Sequence, residues 1–225
     1  ALYQRALSIA DDPSARSMIQ PAQVDDIAIG LVSAYPTPDN WRSALTVFRD
    51  VHKLDPGANL DVMRLARAAH AMKGESDYNE YQQSALNKGL PGEAKSLIDE
   101  AAATHAIDIS KPVFRDVRTS DAQIAKDKAS LPASQKQAMA AANGKLAATT
   151  ADAYLSYGEY PQAIALYRAA LQKGGIDPGE VNTHLGIALV RSGDKAGAKQ
   201  AFEQVTTGVR AAIAKLWIVW LGQGG

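Results

Sequence analysis

Apolar residues recur at helical spacing along much of the chain, and the pattern is clearest in its last third. Ala151, Tyr154 and Leu155 share one face of a first predicted helix, which ends at Gly158. A second apolar stripe follows, and it consists of Ala163, Ile164, Tyr167, Ala170 and Leu171. Either helix alone would leave its stripe in water, so we expect the two to pack as an antiparallel pair.

A second predicted pair repeats this design. Its first helix carries Leu185, Gly186, Ala188 and Leu189, and its second carries Ala198, Phe202 and Val205. The glycines at the two breaks, Gly158 and Gly193, lie 35 residues apart, and Ala163 and Ala198 have the same spacing. A fixed period near 34 residues with helix–turn–helix units is the signature of a solenoid, because each unit buries its apolar face only against a neighbour.

The segment between the two pairs carries strong signals for the end of one helix and the start of the next. Gly174 and Gly175 suit a left-handed helix end. Asp177 suits the N-cap position and Pro178 the first helical position. We therefore expect the second pair to begin at residue 178.

These residues resemble the tetratricopeptide repeat. The resemblance rests on small or aromatic residues at its characteristic positions: Ala151, Tyr154, Gly158, Tyr160, Ala163, Tyr167, Ala170 and Gly186. Leu189 and Lys195 depart from it, since the repeat favours aromatic residues there. The resemblance implies an all-α solenoid of antiparallel helix pairs, wound as a right-handed superhelix and closed by a C-terminal capping helix.

The strength of the repeat pattern varies along the chain and divides it into three predicted regions. Residues 1–106 form a weaker repeat-like block, in which Asp39 is the expected cap of one helix and Pro56 has the usual place of the repeat's proline. Residues 107–144 form an irregular helical bridge, because Pro112 and Pro132 interrupt polar helical stretches. Residues 145–225 hold the two clear pairs and the capping helix.

The closing segment, VRAAIAKLWIVWL, is apolar on two sides. Val209, Ile213, Leu216, Trp217 and Trp220 form a stripe that is expected to cap the last repeat. Ile218 and Val219 fall on the other side, where either an upstream helix covers them or another chain does. The second alternative includes self-association through this helix.

Composition narrows the classes of function. The 24 basic side chains balance the 24 acidic ones, which leaves no overall field to attract nucleic acid or an anionic membrane. The absence of cysteine excludes disulfides and thiolate metal sites. No apolar run is long enough for a membrane span. Residues 1–13 lack the features of a signal peptide although the helical pattern already starts there, so we expect a mature or truncated product.

The sequence carries no specific pattern of catalytic residues. The four histidines, His52, His70, His105 and His184, have no second ligand at helical spacing, so no metal site is predicted. Ser192 and Lys195 match a loose Ser-x-x-Lys pattern, but the other elements of that enzyme class are missing. No glycine-rich phosphate or dinucleotide motif occurs. We expect neither catalytic residues nor a cofactor, and no enzymatic activity of the chain itself.

The repeat resemblance implies that the first helix of each pair lines a concave groove and that its outward positions contact a protein or peptide. Mapped onto this chain, those positions are Met63, Arg64, Arg67 and His70, then Lys145, Thr149, Asp152 and Ser156, then Thr183, Ile187 and Arg191. A solvated helix face explains them about equally well. The function expected is therefore that of an interaction scaffold or adaptor.

An alternative is the helical accessory portion of a larger cell-envelope enzyme or assembly complex. The segments YPTPDNW and GLPGEAKSLIDEA also look similar to exported repeat proteins of Gram-negative bacteria. That likeness implies a periplasmic setting, with the cytoplasm as the alternative.

Overall fold

A computed structural model describes residues 2–12, 14 and 19–225 of the chain. Within these residues it contains 13 helices and no strand, which confirms the all-α expectation. Helices that are neighbours in sequence pack against one another. The chain divides into two compact units: unit 1 comprises residues 1–72 and 206–225, and unit 2 comprises residues 73–205. Ala1, where the helical pattern was expected to begin, lies outside the described residues.

Unit 1 contains five of these helices. They are α1 (Leu2–Asp11), α2 (Pro21–Ala34), α3 (Pro38–His52), α4 (Pro56–Ala68) and α13 (Gly208–Gly222). Helix α1 packs on α2 and α3, and α4 follows against α3. Leu7, Val24, Leu31 and Val47 belong to the buried cluster that joins the first three. The apolar stripes of these helices are thus buried against their neighbours in sequence.

Two helix starts in unit 1 have side-chain caps. Thr37 Oγ1 accepts a hydrogen bond from the Asn40 backbone N–H at 3.2 Å, and Pro38 occupies the first position of α3. Thr37 is therefore the cap, and the expectation for Asp39 was wrong by two residues. Asp55 Oδ1 accepts hydrogen bonds from the Gly57 and Ala58 backbone N–H groups at 2.8 and 3.0 Å and so caps α4.

Unit 2 contains eight helices in continuous order. They are α5 (Glu75–Asn87), α6 (Pro91–Ala103), α7 (Pro112–Arg118), α8 (Asp121–Ala140), α9 (Lys145–Ser156), α10 (Tyr160–Lys173), α11 (Pro178–Ser192) and α12 (Lys195–Glu203). The two predicted pairs are α9 with α10 and α11 with α12, and α9 also contacts α11. Asp177 caps α11 and Pro178 begins it, as predicted.

Two glycines in unit 2 allow neighbouring helices to approach closely. A Cβ atom on Gly186 would lie 2.5 Å from the ring of Phe202, so the absence of a side chain lets α12 pack on the backbone of α11. Gly144 donates its backbone N–H to the Gly174 carbonyl at 2.8 Å, and a Cβ there would lie 2.3 Å from the Ala170 carbonyl oxygen. The start of α9 is thereby fixed to the end of α10.

The predicted bridge is more regular than expected. Pro112 begins the short helix α7, whereas Pro132 lies inside the continuous helix α8 and does not divide it. A proline in a helix interior removes one backbone hydrogen bond at a cost of about 3 kcal/mol. Leu131 and Ala138, one before and one after this proline, are both buried. Tertiary packing on both sides therefore holds the helix together.

The closing helix α13 belongs to unit 1, where it packs against α2 and α4. Its buried residues include Ile213, Leu216 and Trp217, three of the predicted stripe. The predicted block 145–225 is thus divided at Val205, because the stripe finds its apolar partners on helices near the start of the chain.

Candidate binding surface

The open part of the predicted groove lies on the first turns of α9. Lys145, Thr149, Asp152 and Ser156 share one face, since they recur at intervals of three and four residues. Lys145 and Thr149 are exposed, and the Asp152 side chain retains 28% of its exposure. The N-terminal half of this face is therefore open to solvent.

The opposite end of the same face is closed. Ser156 is buried, and its Oγ accepts a hydrogen bond of 3.0 Å from the Glu93 backbone N–H in the first turn of α6. Gly92 permits this approach, because a Cβ there would lie 2.7 Å from the Ser156 carbonyl oxygen. The expectation that Ser156 faces a groove was wrong: it anchors α6 to α9.

Asp152 joins three consecutive helices. Its Oδ1 accepts a hydrogen bond from the Tyr167 hydroxyl of α10 at 2.6 Å and lies 2.7 Å from Nδ1 of His184 on α11. The Tyr167 and His184 rings meet edge to face, with centroids 6.1 Å apart. A carboxylate at Nδ1 fixes the orientation of an imidazole ring. Sequence reasoning missed this cluster, because separations of 15 and 32 residues match no helical spacing.

The predicted positions on α11 are largely inaccessible. Thr183 is fully buried and donates its hydroxyl to the Gly179 carbonyl at 2.7 Å, and Ile187 is 2% exposed. Arg191 is half-buried. Thr183 and Ile187 are therefore corrected to core positions, since α11 is buried on every face from Val181 to Leu189.

The basic ridge expected on α4 does not form. Met63 and Arg64 are buried, with 4% and 2% exposure, and Arg67 is half-buried. Arg64 Nη1 lies 3.0 Å from Oδ1 of Asp61, a carboxylate with no exposed surface. The resemblance to the repeat placed Arg64 at an outward position, and the sequence gave no sign that it would pair with the buried Asp61.

His70 is the exposed member of the four predicted residues on this segment. It has a positive φ of 52° just after α4. It lines a cavity of about 420 Å³ within unit 1, together with Pro36, Pro38, Trp41, Trp220 and Gln223. This space is large enough for a side chain of a bound molecule.

Two tyrosines at the end of α9 form hydrogen bonds to α8. The Tyr154 hydroxyl donates to Gln135 Oε1 at 2.8 Å, and burial raises the Tyr154 pKa, with a smaller contribution from Glu159. The Tyr157 hydroxyl donates to the Asp127 carboxylate, and its pKa is raised first by burial and then by Asp127. Both phenols therefore remain neutral donors at neutral pH.

The remaining residues singled out from the sequence are Ile218, Val219 and Ser192. Ile218 and Val219 on α13 are both half-buried. Ser192 donates its hydroxyl to the Leu189 carbonyl at 2.9 Å, as many serines at helix ends do.

In residues 2–12, 14 and 19–225, no three side chains of the metal-ligating types come together. No helix in that part of the chain has the length and apolar character needed to cross a membrane.

Compared with protein-family models, with curated proteins and with solved structures, the chain gives no match.

Proposed function

We propose that the chain is a scaffold of the tetratricopeptide type, and that it binds a protein or an extended peptide along the exposed face of α9. The observation that carries the proposal is the exposure of Lys145 and Thr149 on a helix that α6, α8, α10 and α11 contact. Because neighbouring helices fix the backbone of α9, binding of a peptide to this face costs little conformational entropy of the helix. The 35-residue spacing of the two pairs, with α9 in contact with α11, supports a right-handed superhelical path for this segment.

Asp152 supplies the chemistry at the inner edge of this surface. Its carboxylate is held by Tyr167 and His184 yet keeps part of its exposure. Lys145 lies two turns earlier on the same face. A peptide with a carboxylate near Lys145 and a hydrogen-bond donor near Asp152 fits this arrangement.

Selection from a random peptide library against the immobilised full chain tests the proposal. Affinities of selected peptides are then measured for the double variant Lys145→Glu, Thr149→Arg. We expect at least a tenfold loss. Neither change disturbs the helix, since a glutamate is favourable in the first turn and arginine is a good helix former.

The matched control is Arg168→Glu, Gln172→Arg on the exposed side of α10. It alters charge and size in the same way on the second helix of the same pair, and it should leave affinity unchanged. Failure to enrich any peptide, or equal loss in both double variants, would refute binding at α9.

We also propose a periplasmic setting, on the likeness of YPTPDNW and GLPGEAKSLIDEA to exported repeat proteins. Fractionation of source cells with an antibody to the chain tests this. Recovery with cytoplasmic markers would refute it.

A further inference from the structure

Asn143 and Gly144 form an Asn-Gly dipeptide just before the start of α9. The chain has six asparagines, and the other five are followed by residues with side chains. An asparagine before a glycine is especially prone to spontaneous deamidation, because the glycine backbone can bring its nitrogen close to the asparagine side chain. Asn143 is exposed, so water reaches its side-chain amide. This dipeptide is therefore the strongest candidate for covalent modification that the sequence holds.

The packing of α9 on α10 requires a glycine at position 144. A Cβ atom there would lie 2.3 Å from the Ala170 carbonyl oxygen, and a backbone atom cannot move aside as a flexible side chain can. Asn143 also takes part in the fold, because its Oδ1 accepts a hydrogen bond of 3.1 Å from the Lys145 backbone N–H. The fold thus retains a labile dipeptide where the start of α9 approaches the end of α10.

Deamidation begins when the Gly144 backbone nitrogen loses its proton. This nitrogen attacks Cγ of Asn143, a carbon–nitrogen bond forms, and Nδ2 takes up a proton and leaves as ammonia. The product of this step is a cyclic succinimide. Addition of a water molecule then opens the ring to aspartate or isoaspartate. Water is the only co-reactant, and no atom is oxidised or reduced.

The fold restrains the attacking nitrogen. Gly144 donates its backbone N–H to the Gly174 carbonyl at 2.8 Å. An amide anion at this nitrogen would face the partial negative charge of the carbonyl oxygen, which raises the energy of the anion. Lys173 adds a second restraint. Its Nζ donates to the Met139 and Ala141 carbonyls at 2.9 and 2.6 Å, and so ties the residues between α8 and α9 to the end of α10.

We propose that Asn143 is a deamidation site, and that separation of the start of α9 from the end of α10 controls its reaction. Deamidation is slow compared with local opening, so its rate follows the equilibrium fraction of the opened form. The product carries a new negative charge two residues before Lys145, and isoaspartate also lengthens the backbone at the start of α9. The proposal does not depend on peptide binding at α9.

Timed incubation of the full chain at mildly alkaline pH, followed by peptide mapping with mass spectrometry, tests the proposal. In concentrated urea, Asn143 should convert faster than the other five asparagines. In the folded chain, its conversion should be at least tenfold slower than in urea. Hydrogen exchange of the Gly144 backbone N–H should be slowed by the same factor to within about threefold, because the same opening releases its proton.

Lys173→Met tests the restraint at the end of α10. Loss of the ammonium releases the Met139 and Ala141 carbonyls, and deamidation of Asn143 in the folded chain should be at least threefold faster. Lys136→Met, at an exposed position on α8, is the matched control and should leave the rate unchanged. Asn87, which is also exposed, reports on global unfolding, because a variant that unfolds would convert it faster as well.

Equal rates for Asn143 in the folded chain and in urea would overturn the control by local opening. Faster conversion of another asparagine in urea would overturn the choice of site. An unchanged Asn143 rate in Lys173→Met would overturn the restraint by the lysine. The comparison of the folded and unfolded wild-type chains needs no variant, so it tests the proposal even where Lys173→Met fails to fold.

Discussion

The two compact units hold their buried carboxylates in different ways. In unit 1, Asp61 lies between two arginines, and one of them comes from a helix 149 residues later in the chain. In unit 2, Glu93 accepts a hydrogen bond from the neutral hydroxyl of Tyr81, only 12 residues away, at 2.7 Å. Of these two buried carboxylates, the one in unit 1 thus joins distant segments by charge, whereas the one in unit 2 accepts a hydrogen bond from a neutral donor on the preceding helix.

This difference changes what a single substitution should do. Loss of one partner from a buried ion pair leaves an uncompensated charge, while loss of a neutral donor leaves a smaller desolvation cost. Damage to unit 1 should consequently reach both ends of the chain. Damage to unit 2 should stay near the altered helix pair.

The largest effect is expected for Asp61→Ala. The change leaves Arg64 and Arg210 without their shared carboxylate, at a cost of about 3–5 kcal/mol. Hydrogen exchange should show lost protection in both α4 and α13. The control is Asp152→Ala in unit 2, where the partly exposed carboxylate has a hydroxyl and an imidazole as partners. Equal losses in the two variants would contradict the comparison.

Gly144→Ala tests the close backbone approach that characterises unit 2. The new Cβ would lie 2.3 Å from the Ala170 carbonyl oxygen, and a backbone atom cannot move aside as a flexible side chain can. We expect a loss of about 1–3 kcal/mol, measured by urea unfolding, as for other overpacked sites. Gly222→Ala is the control, because nothing lies within 4 Å of its added Cβ. A harmless Gly144→Ala would show that α9 and α10 tolerate separation.

Features encoded by adjacent residues were predictable from sequence. Asp177 and Pro178 specify a helix start by local hydrogen bonding and a fixed φ, and the structure has that start. The 35-residue spacing correctly predicted two helix pairs, because each stripe needs a neighbour. Local rules failed at Pro132, where packing of α8 on both sides outweighed the lost backbone hydrogen bond.

The candidate surface was less predictable, because exposure depends on helices far away in sequence. Lys145 and Thr149 are exposed, but Ser156 is covered by the start of α6. The repeat resemblance placed Arg64 at an outward position, yet Arg64 is buried beside Asp61, which also pairs with Arg210. No periodicity within α4 could reveal a carboxylate shared with α13.

A smaller effect should follow from removal of a cap. Asp177→Ala removes the acceptor for the Gly179 and Glu180 backbone N–H groups, and we expect a loss of about 1 kcal/mol in unit 2. Thr207→Ala at the start of α13 is the matched change in unit 1. Because the Thr207 side chain makes no capping hydrogen bond, this change should lower the free energy of unfolding by less than about 0.5 kcal/mol. Thermal unfolding of both variants checks this order, and the reverse order would mean that α13 needs its own cap.

The smallest effect concerns an exposed ion pair that fixes the loop after α6 to the start of α5. The Lys111 ammonium donates a hydrogen bond to the Glu75 carboxylate, and this bond is the largest cause of the lowered Glu75 pKa. A hydrogen bond from the Asp108 backbone N–H lowers the Glu75 pKa further. A depressed folded-state pKa stabilises the fold above the unfolded-state value of about 4.3, and this stability is lost as pH falls through the folded-state pKa. In Lys111→Met, NMR titration should show the Glu75 carboxyl pKa moving up toward its ordinary value. Lys126→Met, at an exposed position on α8, should leave it unchanged, and an unmoved Glu75 pKa in Lys111→Met would assign the depression to the Asp108 backbone N–H alone.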